Sequence, residues 1–481
     1  MSDAVIILLL AAGYMLALAI VSWRLRRSGQ TSEGFTSGGT AFPAILIGCL
    51  MASEFIGTSA SLGTAQGAFE YGISAAWNLV ALAVGFVIFS FLLAAKYRSL
   101  GENTISGVLA AGYGPRVRKP TSVLMIVALL TVAVAVYASG GAIFASLLGI
   151  SQAMATALTG VIAVGYVIIG GMRSVVVTNV VHALVMMIGI ALAALLPLQE
   201  IGGPSALAKA VPPNFLNPVG VGLPQIVAWF VAGIGASFAT QYIVQAITAV
   251  PSERKAKQAS VYAALVLLPY GFFAAVAGMC AVVLFPEVPS LQALPALVQN
   301  LNVGVAAIII AGLLAALLGT ASAITLAVTT LLLKDFLRPA LKTEGDDAKE
   351  VRLLRWGSLV LGLLPVGLAI FATDVLMITF LGKAMRASLA VLVLLMFYAR
   401  RWGSSRGALV SIIGSVAVTV CWYLLDNPFG INYTYAAIAT PIVVMTLFHF
   451  VDRGKHRSAD STGARTSGAL SEESEIHDES V

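Results

Sequence analysis

Apolar positions in this chain are not scattered but gathered into long runs separated by short polar stretches. The hydrocarbon core of a bilayer takes about 20 mainly apolar residues per helix. Thirteen runs answer to that length, at roughly 3–23, 41–66, 72–95, 121–148, 152–170, 175–198, 223–248, 260–285, 303–333, 354–372, 375–399, 406–425 and 433–451. The pattern predicts an all-α polytopic membrane protein with thirteen transmembrane helices. The first run carries Asp3 at its front and its basic cluster behind it, and it is too long for a cleaved signal peptide. It therefore reads as a span with the N-terminus outside.

Thirteen spans from an outside N-terminus fix which loops should be basic. Of the 28 Lys and Arg residues, 25 fall in loops assigned to the cytoplasm and one, Lys209, in a loop assigned outside. The alternation holds loop by loop, as the positive-inside rule requires. The chain is thus expected to be a multi-pass protein of a plasma membrane, a bacterial inner membrane, with a cytoplasmic C-terminus. Residues 1–451 form the predicted membrane domain. Residues 452–481, ending SEESEIHDESV, read as a polar, disordered cytoplasmic tail.

Composition sharpens this picture. Of 481 residues 59% are apolar and 10% charged, against about 25% charged in a soluble domain. A soluble enzyme, a nucleic-acid binder and a disordered scaffold are excluded. The net charge of +6 reflects the cytoplasmic loops. Cys49, Cys280 and Cys421 all lie in apolar runs, so neither a disulfide framework nor a zinc cluster is implied. No GxxxxGK phosphate loop is present, and no cofactor is expected.

Two spans look interrupted. The second carries Gly48, Gly57, Gly63 and Gly67 among Ser and Thr; the seventh carries Gly233 and Gly235 beside Ser237, Thr240 and Gln241. Matching interruptions in two halves of a chain point to a transporter whose unwound backbone serves ion and substrate at the midplane. The same glycines also suit close helix packing. The ninth span adds Thr320, Ser322 and Thr325, oxygens of the kind a hard monovalent cation takes as ligands.

Five ordered stretches carry a resemblance: MASEFIG, GGMRSVVVTNVVHALVMMIG, QYIVQAITAVPSERKAKQAS, AALLGTASAITLAVTTLLLKDF and RWGSSRGALVSIIG. Together, over about residues 35–450, the chain resembles the sodium:solute symporter family of proline, pantothenate, sialic-acid and sodium/glucose carriers. The resemblance implies a LeuT-like core of five plus five inverted helices, spans 2–6 (about 41–198) and 7–11 (about 223–399), with one extra helix in front and two behind. It implies a sodium site where the second and ninth spans meet, with carbonyls from Ala52, Phe55 and Ala316 and a hydroxyl from Thr320. The family's second hydroxyl, one position earlier, is Gly319 here, which removes a ligand. Where some members hold a second sodium, this chain has Asn179, Ser322 and Ala323, so at most one sodium is expected.

Glu54 and Arg386 fall near mid-bilayer, where an isolated charge costs on the order of 2.5–3.5 kcal/mol even on the lenient scale. Either they form a structural ion pair, or they flank the solute, with Arg386 holding an anionic group and Glu54 a hydroxyl, an amine or a coupling proton. Lys383, one turn away on the same helix face, is a vestibule charge or a snorkelling one. His182 is a buried imidazole bonded to a neighbouring helix, or a proton relay with Glu54. Met51, Trp229, Phe230 and Phe238 are candidate apolar walls of a solute site, and Gln241 and Tyr242 candidate hydrogen-bonding groups.

The expected function is secondary-active symport of sodium with a small organic solute carrying a carboxylate, in a protein able to work as a monomer in the bilayer. A proton-coupled carrier using Glu54 and His182 is the rival of the same fold. A transporter-like solute sensor is the rival of another class; no kinase-length segment follows Val451.

Overall fold

The structure is a computed structural model, and it describes residues 3–25, 42–167, 172–372 and 374–452. The expected tail beyond residue 452 and the end of the fifth predicted span lie outside the described residues. Among those residues the regular structure is helical throughout. The elements used below are α1 (Asp3–Leu25), α2 (Ala44–Phe55), α3 (Thr58–Tyr71), α4 (Trp77–Leu92), α5 (Arg118–Leu148), α6 (Gln152–Val167), α7 (Met172–Ile201), α8 (Leu223–Ala239), α9 (Gln241–Thr248), α10 (Glu253–Leu284), α11 (Val303–Leu332), α12 (Asp347–Leu363), α13 (Val375–Tyr398), α14 (Ser405–Leu424) and α15 (Tyr433–Asp452).

Nine helical stretches among the described residues are long and apolar enough to cross a membrane, and α8 with α9, bent by 46°, makes a tenth if counted as one span. The second predicted span divides into α2 and α3, of 12 and 14 residues. Helix continues past α3 through a short 3-10 turn into α4, after a reversal of backbone angles at Gly72 (φ 72°, ψ −149°). Only a residue without a Cβ takes that φ at no steric cost.

Polar side chains start the helices where the sequence leaves the apolar runs. Ser252 Oγ accepts from Lys255 N at the front of α10, Asp374 Oδ1 from Met377 N at the front of α13, and Ser404 Oγ from Gly407 N at the front of α14. Each satisfies an amide the helix itself leaves unpaired.

Burial sorts the helices into a centre and a rim. In their most apolar stretches α11 and α13 are 78% buried against the rest of the protein, whereas α12 is 28% and α14 and α15 are each 33% buried. Rim side chains such as Phe91, Leu265, Leu368 and Phe371 are exposed, as lipid-facing residues should be. α8 packs on α4 and α13; α10 on α2, α3 and α4; α11 on α5, α6 and α7. Small residues permit this closeness. A Cβ added at Gly235 would lie 2.5 Å from Ala387 Cα on α13, and one at Gly48 would lie 2.8 Å from the Ala259 carbonyl on α10.

Candidate cation and solute site

α2 stops at Phe55 because Ile56 (φ −94°, ψ 30°) and Gly57 (φ −58°, ψ 177°) leave the helical range. The Ser and Thr residues that follow bond back onto the backbone: Ser61 Oγ donates to the Gly57 carbonyl at 3.1 Å. This competition with regular helix bonding is what such residues do. The break faces α11. Thr320 Oγ1 approaches the Glu54 carbonyl at 3.5 Å, and a Cβ added at Gly57 would lie 2.1 Å from that hydroxyl. Gly57 is therefore the residue that lets α11 reach the break.

Of the other residues expected here, Ala52 and Ala316 are fully buried and Phe55 nearly so. The Ala52 carbonyl accepts the Ile56 amide at 3.0 Å, and the carbonyl that meets Thr320 is that of Glu54. Gly319 lies against α7, where an added Cβ would sit 2.4 Å from Asn179 Oδ1. Ser322 donates to the Gly319 carbonyl at 2.8 Å, so its hydroxyl is spent on its own helix. The donors around the break are neutral oxygens, and among the described residues no group of three or more His, Cys, Asp or Glu gathers to hold a metal ion. Carbonyls and hydroxyls suit a hard monovalent cation better than a transition metal.

The seventh span breaks one turn later than its glycines suggested. Gly233 and Gly235 lie inside regular α8 and serve close packing, against Ala81 and Ala387. The chain leaves the helix at Thr240 (φ −80°, ψ 134°), whose hydroxyl donates to the Ala236 carbonyl at 2.5 Å. Arg386 Nη1 donates to Thr240 Oγ1 at 3.1 Å, and Arg386 Nε donates to the Gly382 carbonyl at 2.9 Å. The guanidinium carbon also stands 6.0 Å from the centre of the Phe55 ring.

The ion pair, one of the two readings of Glu54 and Arg386, does not form. Both side chains are buried, yet the salt bridges among the described residues join Arg118 to Asp335 and Arg338 to Glu350. Among the described residues Glu54 Oε2 meets no hydrogen-bond partner. Tyr242 packs edge-on against Phe55, ring centres 5.5 Å apart. The guanidinium turns to the broken backbone of the seventh span instead.

Lys383 does not snorkel: it is buried, donates to Asn78 Oδ1 at 2.6 Å and lies 4.4 Å from the centre of the Phe380 ring. Asn78 Nδ2 in turn donates to Thr64 Oγ1 at 2.9 Å, so a chain of bonds ties α13 through α4 to α3. His182 is bonded to Tyr14 of α1, with 3.1 Å between Nδ1 and the phenol oxygen, and no hydrogen bond joins it to Glu54.

The candidate solute residues divide. Trp229 stacks on Phe380, ring centres 5.3 Å apart, and both line a cavity of about 380 Å³. Phe230 packs on Trp77, Phe238 packs on Phe89, and Met51 is wholly buried. Gln241 is committed elsewhere: Oε1 accepts from Ile105 N at 2.8 Å and Nε2 donates to the Asn103 carbonyl at 3.0 Å. That anchors α9 to the loop before the short helix Ile105–Tyr113 rather than facing a solute.

Sequence reading missed the cavity's polar walls. Glu70, Asp374, Gln66, Gln225 and Asn432 line it beside Trp229 and Phe380. They sit at span ends, where polar residues are ordinary, and only the fold brings them together. Burial first, and then Glu70 nearby, push the Asp374 carboxyl up from its ordinary range, against its bond from Met377 N. At the opposite, Lys- and Arg-rich end, buried Asp335 accepts from Arg118 Nε at 2.6 Å, from Ser106 Oγ at 2.5 Å and from Ser122 Oγ. Charge thus cross-links the Lys- and Arg-rich end of the bundle around Asp335.

Comparison with known proteins decides the class. The family model described as "Sodium:solute symporter family" matches residues 35–415. The chain belongs to the sodium:solute symporter family. It is a multi-pass membrane symporter, not an enzyme. The symporter is 24% identical over 441 residues to "Uncharacterized symporter YwcA" of Bacillus subtilis (strain 168), covering 83% of each chain. Its fold is similar to that of a Na+-coupled sialic acid symporter solved in a substrate-bound, outward-open state. The TM-score is 0.78 at 17% identity, over 93% of this chain and 98% of that one. It is also similar to MhsT in complex with L-phenylalanine, with a TM-score of 0.55 at 12% identity over 85% of this chain and 97% of that one.

Proposed function

We propose that this symporter couples the entry of one sodium ion to uptake of a small organic solute carrying a carboxylate. In this reading the chain crosses the membrane thirteen times from an outside N-terminus. Spans 2–6 and 7–11 are inverted repeats within a transporter domain of residues 1–451, and the protein works as a monomer in a bacterial inner membrane. The observation that carries the reading is the break between α2 and α3 facing Thr320, where a backbone carbonyl and a hydroxyl stand 3.5 Å apart and a Cβ at Gly57 would lie 2.1 Å from that hydroxyl. Sodium would take its oxygens there, from Thr320 and from carbonyls of the break and of Ala316. Binding would join α11 to the broken span and favour the state that accepts solute, which is coupling as a free energy shared between two sites.

Arg386 supports the anionic solute. It is a fully buried cation whose described partners are neutral oxygens. Phe380 and Met377, both walls of the cavity, precede it on α13. A carboxylate passing the Trp229–Phe380 stack would find in Arg386 a planar donor suited to two-point recognition.

The test is the melting temperature of the purified protein across a solute panel, in sodium and in choline at equal ionic strength. A ligand that binds the folded state raises that temperature by mass action. Stabilisation by a carboxylate only when sodium is present is the expected result; stabilisation indifferent to sodium overturns the coupling.

One observation favours proton coupling as a second reading: Glu54 Oε2 is buried beside the break with no hydrogen-bond partner among the described residues. Under it, Glu54→Gln abolishes gradient-driven uptake while solute exchange continues. Under sodium coupling, gradient-driven uptake survives in that variant.

A further inference from the structure

At its Lys- and Arg-rich end, which the charge of the loops assigns to the cytoplasm, the protein holds another cavity, of about 460 Å³, between the start of α5 and the end of α11. Five cations line it: Arg116, Arg118, Lys119, Lys334 and Arg338. Two are spent within the protein, Arg118 on Asp335 and Arg338 on Glu350, each at 2.6 Å. Lys334 donates to the neutral Asn103 Oδ1 at 2.7 Å. Arg116 and Lys119 are exposed, and among the described residues neither joins a salt bridge. Lys119 Nζ stands 6.0 Å from the centre of the Phe336 ring. Three cations are thus set against the two lining carboxylates that remain. Of these, Glu102 lies against Gly107 in the first turn of the short helix Ile105–Tyr113, and Glu344 sits on the exposed loop before α12.

We propose that this cavity binds a phosphate group, that of an anionic phospholipid in the cytoplasmic leaflet. The surface beside it is apolar and faces lipid. Lys119, Val123 and Val127 follow one another at four-residue spacing and so share one face of α5, with Val123 49% and Val127 36% exposed. α12, which packs on the turn Leu333–Leu337 that carries Lys334 and Asp335, leaves Trp356 and Val360 exposed. An exposed Trp near the end of a span marks the membrane–water interface. Lys119 therefore stands where the headgroup level meets the apolar flank. A phospholipid fits that border as free phosphate does not, its headgroup on the cations and an acyl chain along Val123 and Val127. Arg116 offers a planar fork of donors matched to phosphate oxygens, and Lys119 and Lys334 offer compact charge. Basic pockets between membrane helices on the cytoplasmic side take anionic headgroups in this way. A lipid bound there bridges α5 and the end of α11, the helix that carries Thr320. The site is independent of the sodium and solute readings above.

The melting temperature of the full-length protein in a neutral detergent tests this, at constant ionic strength, with phosphatidylglycerol, phosphatidylcholine and inorganic phosphate as separate titrants. Saturable stabilisation by phosphatidylglycerol is expected, and none by phosphatidylcholine or by inorganic phosphate at the same concentration. Arg116→Gln and Lys119→Gln are each expected to raise the phosphatidylglycerol concentration for half-maximal stabilisation about fivefold, the share of one cation beside an anionic headgroup. Both side chains are exposed, so neither change disturbs packing. The variant Arg401→Gln/Arg406→Gln removes two exposed cations of the same membrane side that do not line the cavity, and it is expected to leave the titration where it was. An equal response to phosphatidylcholine, or to inorganic phosphate, overturns the proposal. So does a titration unmoved by Arg116→Gln and Lys119→Gln, or moved as far by Arg401→Gln/Arg406→Gln. The sodium and solute readings stand under each of these outcomes.

Discussion

The two broken spans solve one problem in opposite ways. Each interruption frees backbone groups in a low-dielectric interior, where an unmatched polar group is costly. At the second-span break a neutral hydroxyl, Thr320 Oγ1, approaches from α11, 3.5 Å from the Glu54 carbonyl. At the seventh-span break the protein brings its own cation: Arg386 donates to Thr240, whose hydroxyl holds the Ala236 carbonyl. One break gathers neutral oxygens and the other is already served by a guanidinium. On the reading proposed here, the first receives an external cation and the second presents a resident one to an external anion. The breaks are alike in backbone and differ in what meets them, a hydroxyl at one and a cation at the other.

That contrast is open to direct attack. Arg386→Met should have the largest effect, weakening solute-dependent stabilisation by roughly a hundredfold, the size expected for losing two charge-assisted hydrogen bonds of about 1.5 kcal/mol each. Sodium-dependent stabilisation should persist in the same thermal assay. If both responses vanish together, the two breaks are not separate sites.

Gly57→Ala attacks the other break. Its Cβ would lie 2.1 Å from Thr320 Oγ1, and overpacking of that kind costs about 1–3 kcal/mol. Chemical denaturation or thermal unfolding in choline should report the loss, and the sodium response should be lost with it. Thr320→Val keeps the shape and removes one oxygen. It should raise the sodium concentration for half-maximal stabilisation by about tenfold, equivalent to about 1.4 kcal/mol, leaving stability in choline nearly as it was.

The smallest effect is expected at the cavity mouth. Asp374→Asn keeps an oxygen for the Met377 amide, since asparagine caps helices about as well as aspartate. It also removes a carboxylate that burial and Glu70 both disfavour. The raised value has a definite sign. The wild-type carboxylate costs stability once pH climbs past the ordinary aspartate range, and the cost is fully present above the raised folded-state value. The asparagine variant should therefore equal or exceed wild-type stability at neutral pH, by less than about 1 kcal/mol, and the difference should vanish on acidification.

Much of the architecture was legible in the chain. The Gly- and Ser/Thr-rich second span held a real interruption, at Ile56 and Gly57, while the Ser/Thr-rich stretch that follows is regular helix. The glycines of the seventh span misled: Gly233 and Gly235 leave α8 regular, and the chain bends at Thr240, which sequence reading named only as a neighbour. Gly can mean a break or a close contact, and only the facing helix distinguishes them. Depth along the helices suggested that Glu54 and Arg386 would meet. Depth is one coordinate of three, and rotation of α13 aims the guanidinium at Thr240. Gln241 shows the same limit. Its place beside a break suggested solute, while a tertiary contact with residues 103–105 claims both ends of its amide.

Sequence alone determined the all-helical membrane class, because twenty apolar residues in a row have few other stable homes. Five short ordered stretches carried the family, and the helix starts were written in Ser and Asp at the ends of apolar runs. Tertiary structure decided what depends on facing surfaces: which break meets a hydroxyl and which a guanidinium, that Lys383 answers to Asn78, and that Asn179 fills the space Gly319 leaves. Hydropathy is a property of one segment and its solvent. A site is a property of side chains on different helices, and their rotation and register are set only when the bundle packs.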